Sequence, residues 1–124
     1  MILVDSSVWI EHFRLSEPRL AALLAQELVS LHPFVFGELA CGTLRQRPAT
    51  LSYLKLLPAA SRAPEDEVHH LLESRRFWGQ GLGWVDLHLL ASARIDGCRL
   101  WTKDHAMAAA ADQLDLSFGA PWAI

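Results

Sequence analysis

Four acidic residues stand in apolar company along this chain. Asp5 ends the run Ile2-Leu3-Val4, and Glu38 lies inside Phe34-Val35-Phe36-Gly37-Glu38-Leu39-Ala40. Asp86 lies in Gly83-Trp84-Val85-Asp86-Leu87 and Asp104 closes Leu100-Trp101-Thr102-Lys103-Asp104. Burying an ionised carboxylate costs several kcal/mol unless it is paired or bound to a cation. One such acid can serve as a helix cap, but four spread through a small chain point to a shared cation. Hard oxygen donors select Mg²⁺ or Mn²⁺ over Zn²⁺. Two such ions roughly 3.5–4 Å apart can ready a water for attack and steady a leaving oxygen, which suits phosphodiester hydrolysis.

Glu38 has the weakest purely structural explanation, because Phe34 and Gly42 at i−4 and i+4 place it on an apolar helix face. Asp86 and Asp104 also suit helix N-caps, and Asp5 can cap with Ser6 or Ser7. Capping and metal binding are compatible, since a first-turn carboxylate is held rigidly. Ser6 and Thr102 can hold a ligand water or a neighbouring carboxylate, or cap locally.

The elements needed to bring these acids together are legible. Residues 2–4 read as a buried strand, followed by a helix to about Phe13 or Arg14. Pro18 opens a second helix with Leu20, Leu23, Leu24 and Leu28 at helical intervals. A second strand is expected in Glu27–Leu31, a helix from Pro33 carrying Glu38, and another from Pro48 to Leu57. Ala59–Arg62 reads as a third strand. The acidic turn Glu65-Asp66-Glu67 starts a helix to Arg75. After the loop Gly79–Gly83, a helix runs from about Val85 to Ile95 and Gly97 closes it. Cys98–Trp101 reads as a strand, Asp104–Asp112 as a helix, and Leu116–Phe118 as a last strand. Alternation of this kind implies α/β architecture with a mostly parallel sheet covered on both faces. Functional residues then gather beyond the carboxyl ends of the strands, where Asp5 and Asp104 both fall.

At 124 residues, with 52% hydrophobic and 20% charged, the chain is expected to form one domain over 1–124 with one core. No apolar run approaches a membrane span, and Asp5 comes too early for a secretory signal, so the expected location is cytoplasmic. Cys41 and Cys98 are expected as buried free thiols. The net charge is −3, but without the four acids the balance is 11 − (14 − 4) = +1. The acidity thus concentrates in one pocket, where divalent ions reverse its sign and arginines elsewhere can meet phosphates.

Leu3-Val4-Asp5-Ser6-Ser7-Val8-Trp9-Ile10, Gly37-Glu38-Leu39 with Gly42, Gly81–Ala93 and Leu100-Trp101-Thr102-Lys103-Asp104 together resemble the PIN-domain family, particularly the VapC toxins of toxin–antitoxin pairs. The resemblance spans almost the whole chain. It implies a three-layer α/β/α fold with a five-stranded parallel sheet. It also implies an Mg²⁺- or Mn²⁺-dependent endoribonuclease whose metal-binding and catalytic acids are Asp5, Glu38, Asp86 and Asp104, leaving a 5′-phosphate and a 3′-hydroxyl. The expected RNA targets are tRNA or another structured RNA. A homodimer and a cognate antitoxin covering the active site are the implied partners. Many relatives carry a further acid soon after the last motif; here Asp112 comes late, so no fifth direct ligand is expected.

Other residues carry weaker signals. His88 falls on a different helix face from Asp86, which favours packing or a hydrogen bond over catalysis. His12, His69, His70 and His105 show no ligand spacing. Arg45, Arg47, Arg75 and Arg76 suit either phosphate contacts or solvated helix ends. Of Trp9, Trp78, Trp84, Trp101 and Trp122, most are expected in core or interface, with base stacking open to Trp78. Two rival functions are a catalytically silent PIN-like RNA- or protein-binding module and a small-phosphoester phosphatase. Ser7 stands where the phosphatase would need a second acid of an Asp-x-Asp pair.

Overall fold

The structure, a computed structural model, describes residues 1–119; Trp122 lies outside them. At its centre is β1 (Ile2–Val4), flanked by β2 (Val29–Ser30) and β3 (Arg99–Trp101) in the order β2-β1-β3, all parallel. Ile2, Leu3 and Val4 are 9%, 0% and 0% exposed. Successive strand side chains point to opposite faces, so this unbroken burial means that helices cover both, the three-layer α/β/α arrangement.

The helices are α1 (Ser6–Leu15), α2 (Pro18–Ala25), α3 (Pro33–Cys41), α4 (Arg47–Lys55), α5 (Glu65–Ser74), α6 (Trp84–Asp96) and α7 (His105–Gln113). Each site-bearing helix starts at a readable signal. Asp5 caps α1, His32 caps α3 with Pro33 in the first turn, and Asp104 caps α7. Residues 87–93 of α6 are all buried, so this helix runs through the interior beside α5, α7 and β3. It ends at Gly97 in the left-handed region (φ 66°), a cap conformation that glycine adopts without strain.

Three expectations need correction. The sheet has three strands, with single parallel bridges Leu31↔Ala59 and Leu100↔Ser117 at its two edges in place of a fourth and fifth strand. At the first edge, the Ala60 amide reaches Leu31, and the next amide, Ser61, facing the other way, donates to the Asp96 carboxylate at 2.8 Å. The second strand is shorter than Glu27–Leu31 because Glu27 turns the chain with φ 58°. Cys41, expected to be buried, is exposed at the end of α3, whereas Cys98 is buried. Among the described residues, no helix is long and apolar enough to cross a membrane.

Candidate active site

Parallel register fixes the site. The Asp5 amide donates to the Trp101 carbonyl at 2.9 Å, extending the β1–β3 pairing by one residue and setting Asp5 beside Thr102 at the carboxyl edge. Two hydroxyls then hold one oxygen of Asp5. Ser7 Oγ donates to Asp5 Oδ2 at 2.7 Å and Thr102 Oγ1 donates to the same atom at 2.9 Å. Both hydroxyl protons are thereby used, and both oxygens accept backbone N–H groups: Lys103 to Ser7 and Asp104 to Thr102, each at 3.0 Å. Asp5 Oδ1 takes no hydrogen bond among the described residues.

The other acids are held in the same way. Asp86, in the first turn of α6, accepts the Gly83 N–H through Oδ2 at 2.8 Å, and Asp104 accepts the Met107 N–H through Oδ1 at 2.9 Å. Ser6 lies near Glu38 and favours its charged form. For Asp5, Asp86 and Asp104, one oxygen is tied to the scaffold and the other is uncommitted. Short first-turn acids orient well because the helix terminus supplies both the donor and a favourable dipole.

The four acids also sense one another. Burial, first, and then the charges of Asp5 and Asp86 raise the Glu38 pKa, opposed by Ser6. Burial, then Asp5 and Asp104, raise the Asp86 pKa, opposed by the Gly83 N–H. Among the described residues, no ion pair reaches any of the four. Lys103, next to Asp104, is turned instead to Glu17 at 3.7 Å. The result is a concentration of negative charge without a basic partner, which is the electrostatic demand a divalent cation meets.

Two sequence expectations change here. Asp5 is 7% exposed and Asp86 half-buried, but Glu38 and Asp104 are exposed on the rim. The apolar face expected around Glu38 thus opens to solvent, although the neighbouring packing still raises the Glu38 pKa. Nor, among the described residues, do any three His, Cys, Asp or Glu side chains form a preassembled metal cage. In donor type, mutual influence and uncommitted oxygens the residues nevertheless fit a hard cation. Asp112 is exposed well along α7 and is not among the groups acting on Glu38 or Asp86.

Sequence reasoning missed the weight of Ser7. The signal was present: in Asp5-Ser6-Ser7 the second serine lies two residues after the cap, where its own amide also faces Asp5 (3.4 Å). Ser7→Ala is expected to lower activity roughly 10–100-fold, the usual cost of freeing a ligand from its outer support, with little change in thermal midpoint. Equal activity of Ser7→Ala and the parent in a cleavage assay would remove Ser7 from the site.

The PIN-domain sequence model matches residues 2–113. The chain belongs to the PIN-domain family. Ribonuclease VapC32 of Mycobacterium tuberculosis, from strains CDC 1551 / Oshkosh and ATCC 25618 / H37Rv, is 48% identical over 111 residues, covering 89% of this chain and 90% of the relative. FitAcB from Neisseria gonorrhoeae superposes with TM-score 0.70 at 20% identity over 100% of both chains. PAE2754 from Pyrobaculum aerophilum gives TM-score 0.63 at 19% identity, covering 88% of this chain and 83% of that one. At such identities the structural likeness speaks for the PIN fold alone, and it agrees with the three-layer arrangement seen here.

Proposed function

We propose that this PIN domain is a divalent-metal-dependent endoribonuclease, the toxin of a toxin–antitoxin pair. The observation that carries the reading is the unpaired quartet Asp5, Glu38, Asp86 and Asp104, three of which turn a free oxygen away from the scaffold. The 48% identity to a protein named as a VapC ribonuclease supports the reaction class. Mg²⁺ or Mn²⁺, held by these four carboxylates, would polarise the scissile phosphate and ease ionisation of the attacking water. The chain supplies orientation: Ser7 and Thr102 fix Asp5, Gly83 fixes Asp86, and the first turn of α7 fixes Asp104. In the displacement the water oxygen would join phosphorus as the bond to the 3′-oxygen breaks, with the water proton passing to solvent and the 3′-oxygen taking a proton from it. The products are a 5′-phosphate and a 3′-hydroxyl.

The partners follow from surfaces at hand. A groove of about 440 Å³ is lined by Ile10, Phe13, Leu39 and Leu44 with Arg14 and Arg45, and it reaches Glu38. It supports an antitoxin segment lying alongside α1 and α3 and covering the acids. A homodimer is supported by the apolar recess around exposed Tyr53 and Leu56, which are 45% and 82% solvent-accessible. Action on tRNA or another structured RNA would suit the cytoplasmic location we propose.

The test is cleavage of total cellular RNA by the purified protein with Mg²⁺, Mn²⁺ or chelator, followed by mapping of the new 5′ ends. Cleavage that requires a divalent ion supports the reading. The lack of a preassembled cage favours one alternative, a silent RNA- or protein-binding module, and tight RNA binding without cleavage under any metal would select it.

Partial burial of Glu38 and the charges of Asp5 and Asp86 make a further prediction. The raised pKa of Glu38 means that the folded protein holds its proton more tightly than the unfolded chain. Stability therefore falls as pH rises from the unfolded toward the folded value, and the charge is a net cost at neutral pH. Glu38→Gln is expected to raise the metal-free midpoint at pH 7.5 by roughly 1–3 °C, less in high salt because the side chain is exposed. It should also shrink the stabilisation given by Mn²⁺. Differential scanning fluorimetry with and without Mn²⁺ checks both; a lowered metal-free midpoint would contradict a net cost of the Glu38 charge.

A further inference from the structure

An aromatic cluster adjoins the acids without serving them. Trp84 opens α6 two residues before Asp86, and Phe34 lies one turn, about 6 Å along the axis, before Glu38 on α3. Between them His88 makes edge-on contacts to both rings, with centroids 4.8 Å from Phe34 and 4.9 Å from Trp84. His69 lies 4.8 Å from Trp84 on the far side, and the Arg62 guanidinium sits 5.0 Å over the Phe34 ring.

Two features exceed what core packing requires. Trp84 keeps 40% of its surface in solvent, a large indole area at the rim of the site. His88 is 1% exposed, yet its Nδ1 has no hydrogen-bond partner. Unpartnered buried polar atoms are rare in folded proteins because each forfeits its bond to water. A purely structural cluster would be better served by an aliphatic side chain at position 88.

We infer that the exposed indole of Trp84, backed by His88 and Phe34, stacks on an unstacked nucleobase of the RNA substrate beside the scissile phosphate, with Arg62 meeting a flanking phosphate. The inference rests on the endoribonuclease reading and adds its substrate form: an unpaired nucleotide next to the cut. Aromatic faces accept any base by stacking, and arginine couples phosphate and π contacts. Phe34 lies one turn from Glu38 on α3 and Trp84 two residues from Asp86 on α6, so the cluster joins the two helices that carry these acids.

The test pairs protein and substrate changes. An RNA containing the mapped cleavage site is prepared intact and with a single abasic nucleotide at each flanking position. Parent, Trp84→Ala and Trp84→Phe proteins are compared for KM and kcat. Binding is read separately by fluorescence anisotropy in the Asp5→Asn background. Trp84→Ala is expected to weaken binding about 5- to 100-fold, the range for one stacked base, with the loss falling on KM and largely restored in Trp84→Phe. One abasic position should produce the same loss in the parent and add nothing in Trp84→Ala, since coupled partners are not additive. Additive losses, or unchanged RNA affinity in Trp84→Ala, would overturn the inference while leaving metal-dependent cleavage by the parent intact. If Trp84→Ala folds poorly, Trp84→Phe and the abasic series carry the test alone. Normal RNA affinity with lost binding of a partner protein would reassign the cluster to protein recognition and reject the nucleobase. A parent protein that neither binds nor cleaves RNA would sink the endoribonuclease reading and this inference together.

Discussion

Asp5→Asn should remove metal-dependent RNA cleavage, lowering the rate on the order of 10³-fold or more, equivalent to roughly 4 kcal/mol of transition-state stabilisation. The substitution is nearly isosteric. The amide oxygen can still accept from Ser7 and Thr102, which bond one Asp5 oxygen at 2.7 and 2.9 Å, so the hydroxyl network keeps its acceptor. What is lost is the charge and a carboxylate oxygen at Oδ1, the atom left free for a cation. The folded state should survive, because Asp5 forms no ion pair among the described residues that the change would break. Single-turnover cleavage of a mapped RNA, with circular dichroism as the control for folding, separates loss of chemistry from loss of structure. Full activity in a folded Asp5→Asn protein would dismiss Asp5 as a catalytic residue.

The second large effect is on stability, and it lies at the start of α3. His32 is fully buried and caps the helix: the Phe34 N–H donates to Nδ1 at 2.9 Å, which leaves Nε2 to carry the ring proton toward Ser92 Oγ at 3.1 Å. A second proton would displace the cap. Burial, and then the proximity of His88 and the Arg62 charge, lower the His32 pKa from 6.5 to about 4, with Asp96 opposing. The unfolded chain therefore binds more protons than the native state across this interval. His32 contributes stability that is complete above pH 6.5, falls as the pH drops toward 4, and is lost below it. The contribution is on the order of 3 kcal/mol. His88, also buried and with its pKa lowered by burial and by Arg62, acts in the same direction. Urea denaturation from pH 7.5 to 4 should show this slope, and His32→Asn, which can cap but cannot titrate, should flatten it. An unchanged slope in His32→Asn would assign the acid sensitivity elsewhere.

Much of this arrangement was legible in the residues. Capping explains why: Asp5, Pro18, Pro33, Glu65 and Gly97 act on their own helix ends, so local sequence reports them faithfully. The acids could be placed at one sheet edge because a parallel α/β chain returns each strand in the same direction. Less visible was anything decided by partners distant in sequence. The outer strands are single bridges, and at one of them the Ser61 amide is taken by the Asp96 carboxylate, 35 positions away. Glu38 emerged on the rim although its neighbours are apolar, since a residue's exposure depends on what packs over its helix. The central role of Ser7 came from Thr102 and Lys103, both brought in by β3. Trp84 read as core filler in the sequence, and only the juxtaposition of α3, α5 and α6 reveals an exposed indole over a buried histidine.

Anomalous diffraction from crystals grown with Mn²⁺ addresses the metal assignment at its root. The expected result is a manganese peak bounded by carboxylate oxygens of Asp5, Glu38, Asp86 and Asp104, with Asp5 Oδ2 still held by Ser7 and Thr102. A map without manganese among these four side chains, from protein that cleaves RNA in the same Mn²⁺ solution, would contradict it.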